Sequence, residues 1–249
     1  MQDEAAQPIG VARVAETAEA AAALRNELAA LRAVAADRNL RDSIPAVLAD
    51  GQWAGCEVHV QACARPCVCG YTVKLTPAHL RFLAALSRVD RRHMPLTEWP
   101  AWEELSQRVE GARFASSANT QAVQEAFRAA RGTLSGVKMP FHRVHGDFAP
   151  WNVHTAGGGI CVLDWERSEP QGLPFTDLVH FGFQVEWLIR KRTHSWKELL
   201  ASPLTVLGVR AECETLARAL ASAGGTRLNA RQMLALVSLC LVKRSVETL

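Results

Sequence analysis

Apolar and polar positions change their period along the chain, and the changes divide it. Residues 9–14 (IGVARV) alternate and predict a short strand. Residues 17–36 switch to a helical period, with Leu24, Leu28 and Leu31 at i, i+4 and i+7 and Thr17 where an N-cap belongs. Glu27 lies beside that stripe and, taken by itself, reads as a solvated helix glutamate. Residues 44–48 predict a strand that turns at Asp50-Gly51, and Cys56–Cys63 alternates as the next strand until Arg65-Pro66 breaks it. Thr76 and Pro77 open another helix. Residues 90–120, rich in Arg, Pro and Trp, show no period that assigns them. Thr120–Arg131 is amphipathic and is expected to stop at Gly132. Pro170–Pro174 reads as a loop, and residues 175–192, 209–223 and 229–246 read as helices. Strands with one helix, followed mostly by helices, give an α+β fold. The break at Arg65-Pro66 sets the expected boundary between a small part, 1–64, and a larger one, 65–249.

One stretch, His142–Glu166 (HRVHGDFAPWNVHTAGGGICVLDWE), concentrates the chemistry. Its middle predicts two strands joined by a glycine-rich turn. If 152–155 pairs antiparallel with 160–164, Asn152 and Asp164 lie roughly opposite each other at the open end. Asp147 precedes that end in a loop stiffened by Pro150. An amide and a carboxylate facing one another are hard oxygen ligands suited to Mg²⁺, and a third carboxylate beside them can orient or deprotonate a nucleophile.

Composition removes alternatives. The chain of 249 residues is long enough for a sizeable core, and its 49% hydrophobic and 21% charged residues are ordinary for a globular protein. A net charge of +3 without like-charge runs gives no reason to expect a nucleic-acid or membrane partner. The apolar run at 233–242 is too short to cross a bilayer and reads as a buried helix. No secretory pattern opens the chain, so a cytoplasmic location is expected. Seven cysteines, four of them between Cys56 and Cys69, lack paired CxxC knuckles and a neighbouring histidine cluster. They read as reduced thiols in core or hinge space rather than as a zinc site.

The spacing His145-x-Asp147-x-x-x-x-Asn152 equals that of the protein-kinase catalytic loop, with Asp164 following after a hairpin. HGDFAPWN followed by VLDWE resembles the catalytic loop and metal-binding segment of the aminoglycoside phosphotransferase and choline kinase-like family. The resemblance implies a two-lobed protein-kinase-like fold. It also implies Mg²⁺-dependent transfer of the γ-phosphate of ATP or GTP to a hydroxyl of a small molecule. On that pattern Asp147 would orient or deprotonate the acceptor hydroxyl, and Asn152 and Asp164 would hold Mg²⁺. His145 and Asp177 would support the loop. Phe148, Trp151 and Trp165 would pack, His142 and His154 would be ordinary strand or loop residues, and Glu166 would either contact metal or substrate or, more simply, make a structural hydrogen bond.

Carried backward, the family's lysine–glutamate pair falls on Arg13 and Glu27, and its adenine-facing hinge on Gln61–Cys63. About a dozen residues precede the Arg13 strand, where two strands and a glycine-rich lid belong. The resemblance therefore implies either a truncated or misassigned chain start or a reduced small lobe, and leaves a catalytically weak, pseudokinase-like binding protein as the competing reading. Glu186, Glu198, Glu212 and Glu214 in the C-terminal helices are interleaved with Arg190, Lys191, Arg192 and Lys197. That mixture does not make the strongly anionic site a polycationic antibiotic would need.

Overall fold

The structure is a computed structural model that describes residues 10–62, 68–156, 158–222 and 226–249. In chain order its elements are β1 (Gly10–Ala15), α1 (Ala18–Ala35), β2 (Val47–Trp53), β3 (Cys56–Ala62), β4 (Val68–Tyr71), α2 (Pro77–Leu86), β5 (Arg92–Pro95), α3 (Trp102–Gly111) and α4 (Ser117–Leu134). There follow β6 (Lys138–Val144), β7 (Val153–Ala156), β8 (Gly159–Val162), β9 (Glu169–Gly172), α5 (Thr176–Gln184), α6 (Trp196–Ala201), α7 (Pro203–Val206), α8 (Arg210–Ser222) and α9 (Ala230–Glu247). A π-helical turn, Val185–Ile189, extends α5.

The strands form three small antiparallel sheets, ordered β1-β3-β2, β4-β7-β8 and β5-β6-β9. In the first, Arg13 lies opposite His59 and Val11 opposite Gln61. In the second, β4 joins the hairpin through Val68↔Ala156 and Tyr71↔His154. In the third, β6 is central and buried from Met139 to Val144, and it delivers the chain to His145. The expected α+β class is what the chain adopts. Among the described residues, no helix is long and apolar enough to cross a membrane.

Helix α1 begins as its sequence requires, with Thr17 Oγ1 accepting from the Ala20 N–H at 3.2 Å. Its buried face differs from the leucine stripe. Leu24, Glu27, Leu31 and Val34 point inward, while Leu28 is half-buried. A steady helical period through Leu24 and Leu31 passes through position 27, so the glutamate read as solvated is fully buried against the first sheet.

Other expectations shift for local reasons. The β2–β3 turn falls at Ala54-Gly55, both with positive φ, and β2 continues through Asp50-Gly51. Helix α4 runs three residues either side of the expected span and passes through Gly132. A mid-helix glycine costs only about 1 kcal/mol, less than burying Ala130 and Leu134 returns. The expected loop at Pro170–Pro174 begins instead within β9, where Pro170 sits in a short edge strand and need not donate to a neighbour on that side. The unassigned 90–120 region supplies β5, α3 and the start of α4; Trp99 and Trp102 are buried and stack on Phe141 and Phe127. Phe148 and Trp165 pack as expected, whereas Trp151 is exposed. The expected strand end at Cys63 and the break at Arg65-Pro66 lie outside the described residues.

The largest core lies among the helices, with α4 against α9 and with α5 and α7 also on α9, whose buried face runs from Met233 to Val246. Asn229 and Gln232 cap α9 reciprocally, at 2.9 and 3.0 Å. The revised face of α1 has a direct test in urea unfolding. Leu31→Ala is expected to cost about 2–5 kcal/mol, and Leu28→Ala clearly less. Equal losses would contradict the burial described here.

Candidate active site

The loop between β6 and β7 carries His145, Asp147 and Asn152, and the end of the β7–β8 hairpin carries Asp164. Gly146 has φ +82°, and a Cβ there would sit 2.1 Å from the Arg167 carbonyl oxygen. Only glycine fits, because both the left-handed backbone and the close approach exclude a side chain. The carboxylate of Asp177 accepts from the backbone N–H of His145 at 2.9 Å and of Gly146 at 3.0 Å. His145 Nδ1 accepts from the Asp147 N–H at 3.2 Å, so its Nε2 carries the proton and donates to the Leu163 carbonyl at 2.9 Å. That ring therefore ties the loop to the strand end before Asp164. Pro150–Asn152 forms a short 3₁₀ turn, and the Leu163 N–H donates to the Asn152 carbonyl at 2.9 Å.

These contacts draw three functional groups together. Asn152 Nδ2 donates to the Asp147 carbonyl at 2.9 Å and to its Oδ2 at 3.1 Å. With the amide nitrogen so engaged, Asn152 Oδ1 is the atom free to meet a cation. Asp164 has φ +65°, a strained setting for a residue other than glycine and of the kind found at functional sites. Among the described residues, no group of three His, Cys, Asp or Glu side chains forms a metal cluster. The donor set here is an amide oxygen and a carboxylate, which suits Mg²⁺ completing its shell with water and phosphate oxygens.

The sequence did not point to His180. It lies on α5, buried, and its Nε2 is 2.8 Å from Asp147 Oδ1, with the Gln184 amide 3.1 Å from the same nitrogen. Burial alone would raise the Asp147 carboxyl. The His180 hydrogen bond and charge, then His145 and Arg167, outweigh it and hold that carboxyl below its ordinary range. A histidine one turn beyond Asp177 on a predicted helix was visible, but nothing in the linear pattern says that the turn faces Asp147.

Arg13 closes the site from the first sheet. Nη1 donates to Glu27 Oε2 at 2.8 Å and Nη2 to Asp164 Oδ1 at 3.2 Å. Burial works against this cation, but Glu27 first and then Asp164 prevail and keep it protonated above its ordinary value. His59 is buried beside the pair, with Nδ1 3.7 Å from Glu27 Oε2. The expected partnership of Arg13 with Glu27 is therefore present, and it reaches one residue further, to Asp164. Gln61 lies near the end of β3, away from these contacts in register, and Cys63 is outside the described residues. The Glu166 carbonyl accepts from Asn26 Nδ2 at 2.7 Å, so its structural hydrogen bond is made by backbone, and its side chain is exposed. His142 is buried at the end of β6 and His154 half-buried in β7, neither against the loop's functional groups.

Buried titratable groups in and behind the loop set a pH signature. Burial lowers His79, His142 and His145 to about 4, so each is neutral in the folded protein at pH 5 and protonated in the unfolded chain. Burial raises Asp177 to about 6 against the two N–H bonds it accepts, a shift of opposite sign. Histidine stability is complete above about 6.5 and lost as pH falls toward 4; the Asp177 contribution is gained over about pH 6 to 4. Three groups outweigh one, and thermal denaturation is expected to show Tm falling as pH drops from about 6.5 to 4. A flat or rising profile would contradict neutral burial of these rings.

Residues 10–190 match the model of a family described as the phosphotransferase enzyme family. No curated protein matches the chain in sequence. Among solved structures, a glucosamine kinase in one crystal form superposes with TM-score 0.56 at 18% identity, over 96% of this chain and 68% of that one. A glucosamine kinase in complex with glucosamine, ADP and inorganic phosphate gives 0.55 at 19%, over 96% and 71%. A thermostable mutant of an aminoglycoside phosphotransferase, in its apo form, gives 0.47 at 17%, over 95% and 87%. The fold is two-lobed and protein-kinase-like, and by the match across most of its length the chain belongs to the phosphotransferase enzyme family.

Proposed function

We propose that the protein is a small-molecule kinase that moves the γ-phosphate of a nucleoside triphosphate to an acceptor hydroxyl. The observation that carries this reading is the Asn152 amide bonded to Asp147, with the Asn152 backbone paired to Leu163 just before the Asp164 that Arg13 holds. In the reaction the acceptor oxygen bonds to phosphorus and the bond from phosphorus to the bridging oxygen breaks. The nucleoside diphosphate leaves with that electron pair, and the hydroxyl proton passes to Asp147 or through it to water. Mg²⁺, when bound, would neutralise charge on the phosphate oxygens.

The chain's own residues divide the remaining work. Asp147 is held ionised by His180, with His145 and Arg167 adding to it, which favours orienting the hydroxyl over abstracting its proton early. That suits a loose phosphoryl-transfer transition state, in which positioning dominates. Asn152 Oδ1 and the Asp164 carboxylate are the metal ligands in this reading. Arg13, anchored by Glu27, meets the donor phosphates, and Gln61 at the end of β3 lies on the hinge side of the nucleotide in this reading. The ADP of the glucosamine kinase complex supports an adenine nucleotide as donor and a sugar-like hydroxyl compound as acceptor.

A second reading has one observation in its favour. Arg13 stands where the family carries lysine and its fork already grips Asp164, as in a binding protein that retains the fold without turnover. Thermal shift separates the two: Mg-ATP or Mg-GTP is expected to raise Tm, and no shift with either would sink the kinase reading. Asp147→Asn is expected to lower kcat by about 10²–10⁴-fold while leaving nucleotide binding intact. His180→Phe tests the partner of Asp147. Without its hydrogen bond the Asp147 pKa rises, so the acid limb of kcat/KM should move to higher pH. A uniform drop with an unmoved limb would assign His180 to packing alone.

A further inference from the structure

A pocket of about 460 Å³ opens beside the loop, lined by Gly146 and His180 and by Arg167, Glu169, Lys243, Arg244 and Glu247 among others. Gly146 precedes Asp147 in the chain and His180 bonds its carboxylate, so the pocket floor adjoins the group assigned above to the acceptor hydroxyl.

The charges on its wall are unevenly partnered. Lys243 is bonded to Glu169 and, at 2.8 Å, to Glu247, so both carboxylates of the pocket are engaged by one ammonium. Arg167 and Arg244 form no ion pair among the described residues, and the Arg244 Nε is buried without a hydrogen-bond partner. The Arg244 guanidinium lies 5.9 Å from the Phe183 ring centroid, and Phe183 is itself stacked on Trp187 and Trp196. The terminal Nη groups of a guanidinium over an aromatic ring can still donate charge-assisted hydrogen bonds to a carboxylate or phosphate.

Resting on the kinase reading, we infer that the acceptor is a hydroxyl compound that carries an anionic group, a carboxylate or a phosphate. Its hydroxyl is presented to Asp147, and its anion to the N–H edge of Arg244 with Arg167 beside it. Three cations against two carboxylates disfavour amino sugars and other cationic acceptors. The two arginines are specificity residues: they touch the acceptor, not the transferred phosphoryl group.

The test uses the full chain, Mg-ATP and matched acceptors: D-gluconate and D-glycerate against D-glucose, glycerol and D-glucosamine. The anionic members are expected to give the higher kcat/KM, by about tenfold or more, corresponding to about 1.4 kcal/mol. Arg244→Met should raise KM for the anionic acceptors about tenfold more than it raises KM for the neutral ones. Arg167→Gln, at an exposed position, repeats the test should the first variant fold poorly.

Glucosamine as the best substrate, or an equal effect of Arg244→Met on every acceptor, would overturn the inference. Binding supplies a readout without turnover. In the presence of Mg-ADP, millimolar gluconate or glycerate should raise Tm in the wild type and not in the Arg167→Gln/Arg244→Met double variant. If Mg-ADP stabilises the protein but neither anion adds to it, the anionic pocket falls and the kinase reading stands. If gluconate binding depends on Arg244 while no Mg-nucleotide stabilises the chain, the anionic pocket stands and the kinase reading falls.

Discussion

The buried carboxylate of Asp177 is the constraint on which the site depends. It accepts the backbone N–H groups of His145 and Gly146, in a place where an ionised group is costly unless its lone pairs are used. The helix that carries it begins after Phe175 in a left-handed conformation, and Asp177 falls in the first turn, where the helix dipole favours negative charge. The same helix presents His180 to the Asp147 side chain one turn later, with Gln184 behind it at the next. One helix face thus fixes the loop twice, by its backbone through Asp177 and by its carboxylate through His180. Gly146 is the consequence: the loop is drawn so close to the Arg167 backbone that no Cβ is tolerated.

What was legible in the sequence follows from how local each signal is. The hairpin, its glycine turn and the spacing from His145 to Asn152 are local, and the pairing Val153↔Val162 brings Asn152 and Asp164 to the same end as expected. The cap at Thr17 is local too. Taken by itself, Glu27 reads as solvated because a helical period is blind to a charged residue on the buried face; only the family resemblance pairs it with Arg13, which lies on another element. β6 was missed because burial on all sides removes alternation: Met139–Val144 includes a buried histidine and an arginine whose side chain is satisfied by tertiary contacts with Asp90 and Ser168. His180 was invisible for the same reason, since its meaning is a 2.8 Å contact across 33 residues of chain.

Arginine at position 13 changes the electrostatic arrangement more than its charge suggests. An ammonium gathers its donors on one compact nitrogen, whereas the planar fork of Arg13 holds Glu27 through one nitrogen and Asp164 through another. The first sheet and the hairpin are therefore joined through a single guanidinium, and Glu27, fully buried, cannot follow if the fork turns away. A phosphate arriving between them competes with Asp164 for one nitrogen while Glu27 keeps the other, which leaves Asp164 free to serve a cation. Exchange of one carboxylate for one phosphate oxygen conserves the number of charge-assisted bonds to Arg13. On this geometry the arginine is compatible with nucleotide use, because the contact it must surrender is the half-exposed one, at 3.2 Å, and the contact it retains is the buried one, at 2.8 Å.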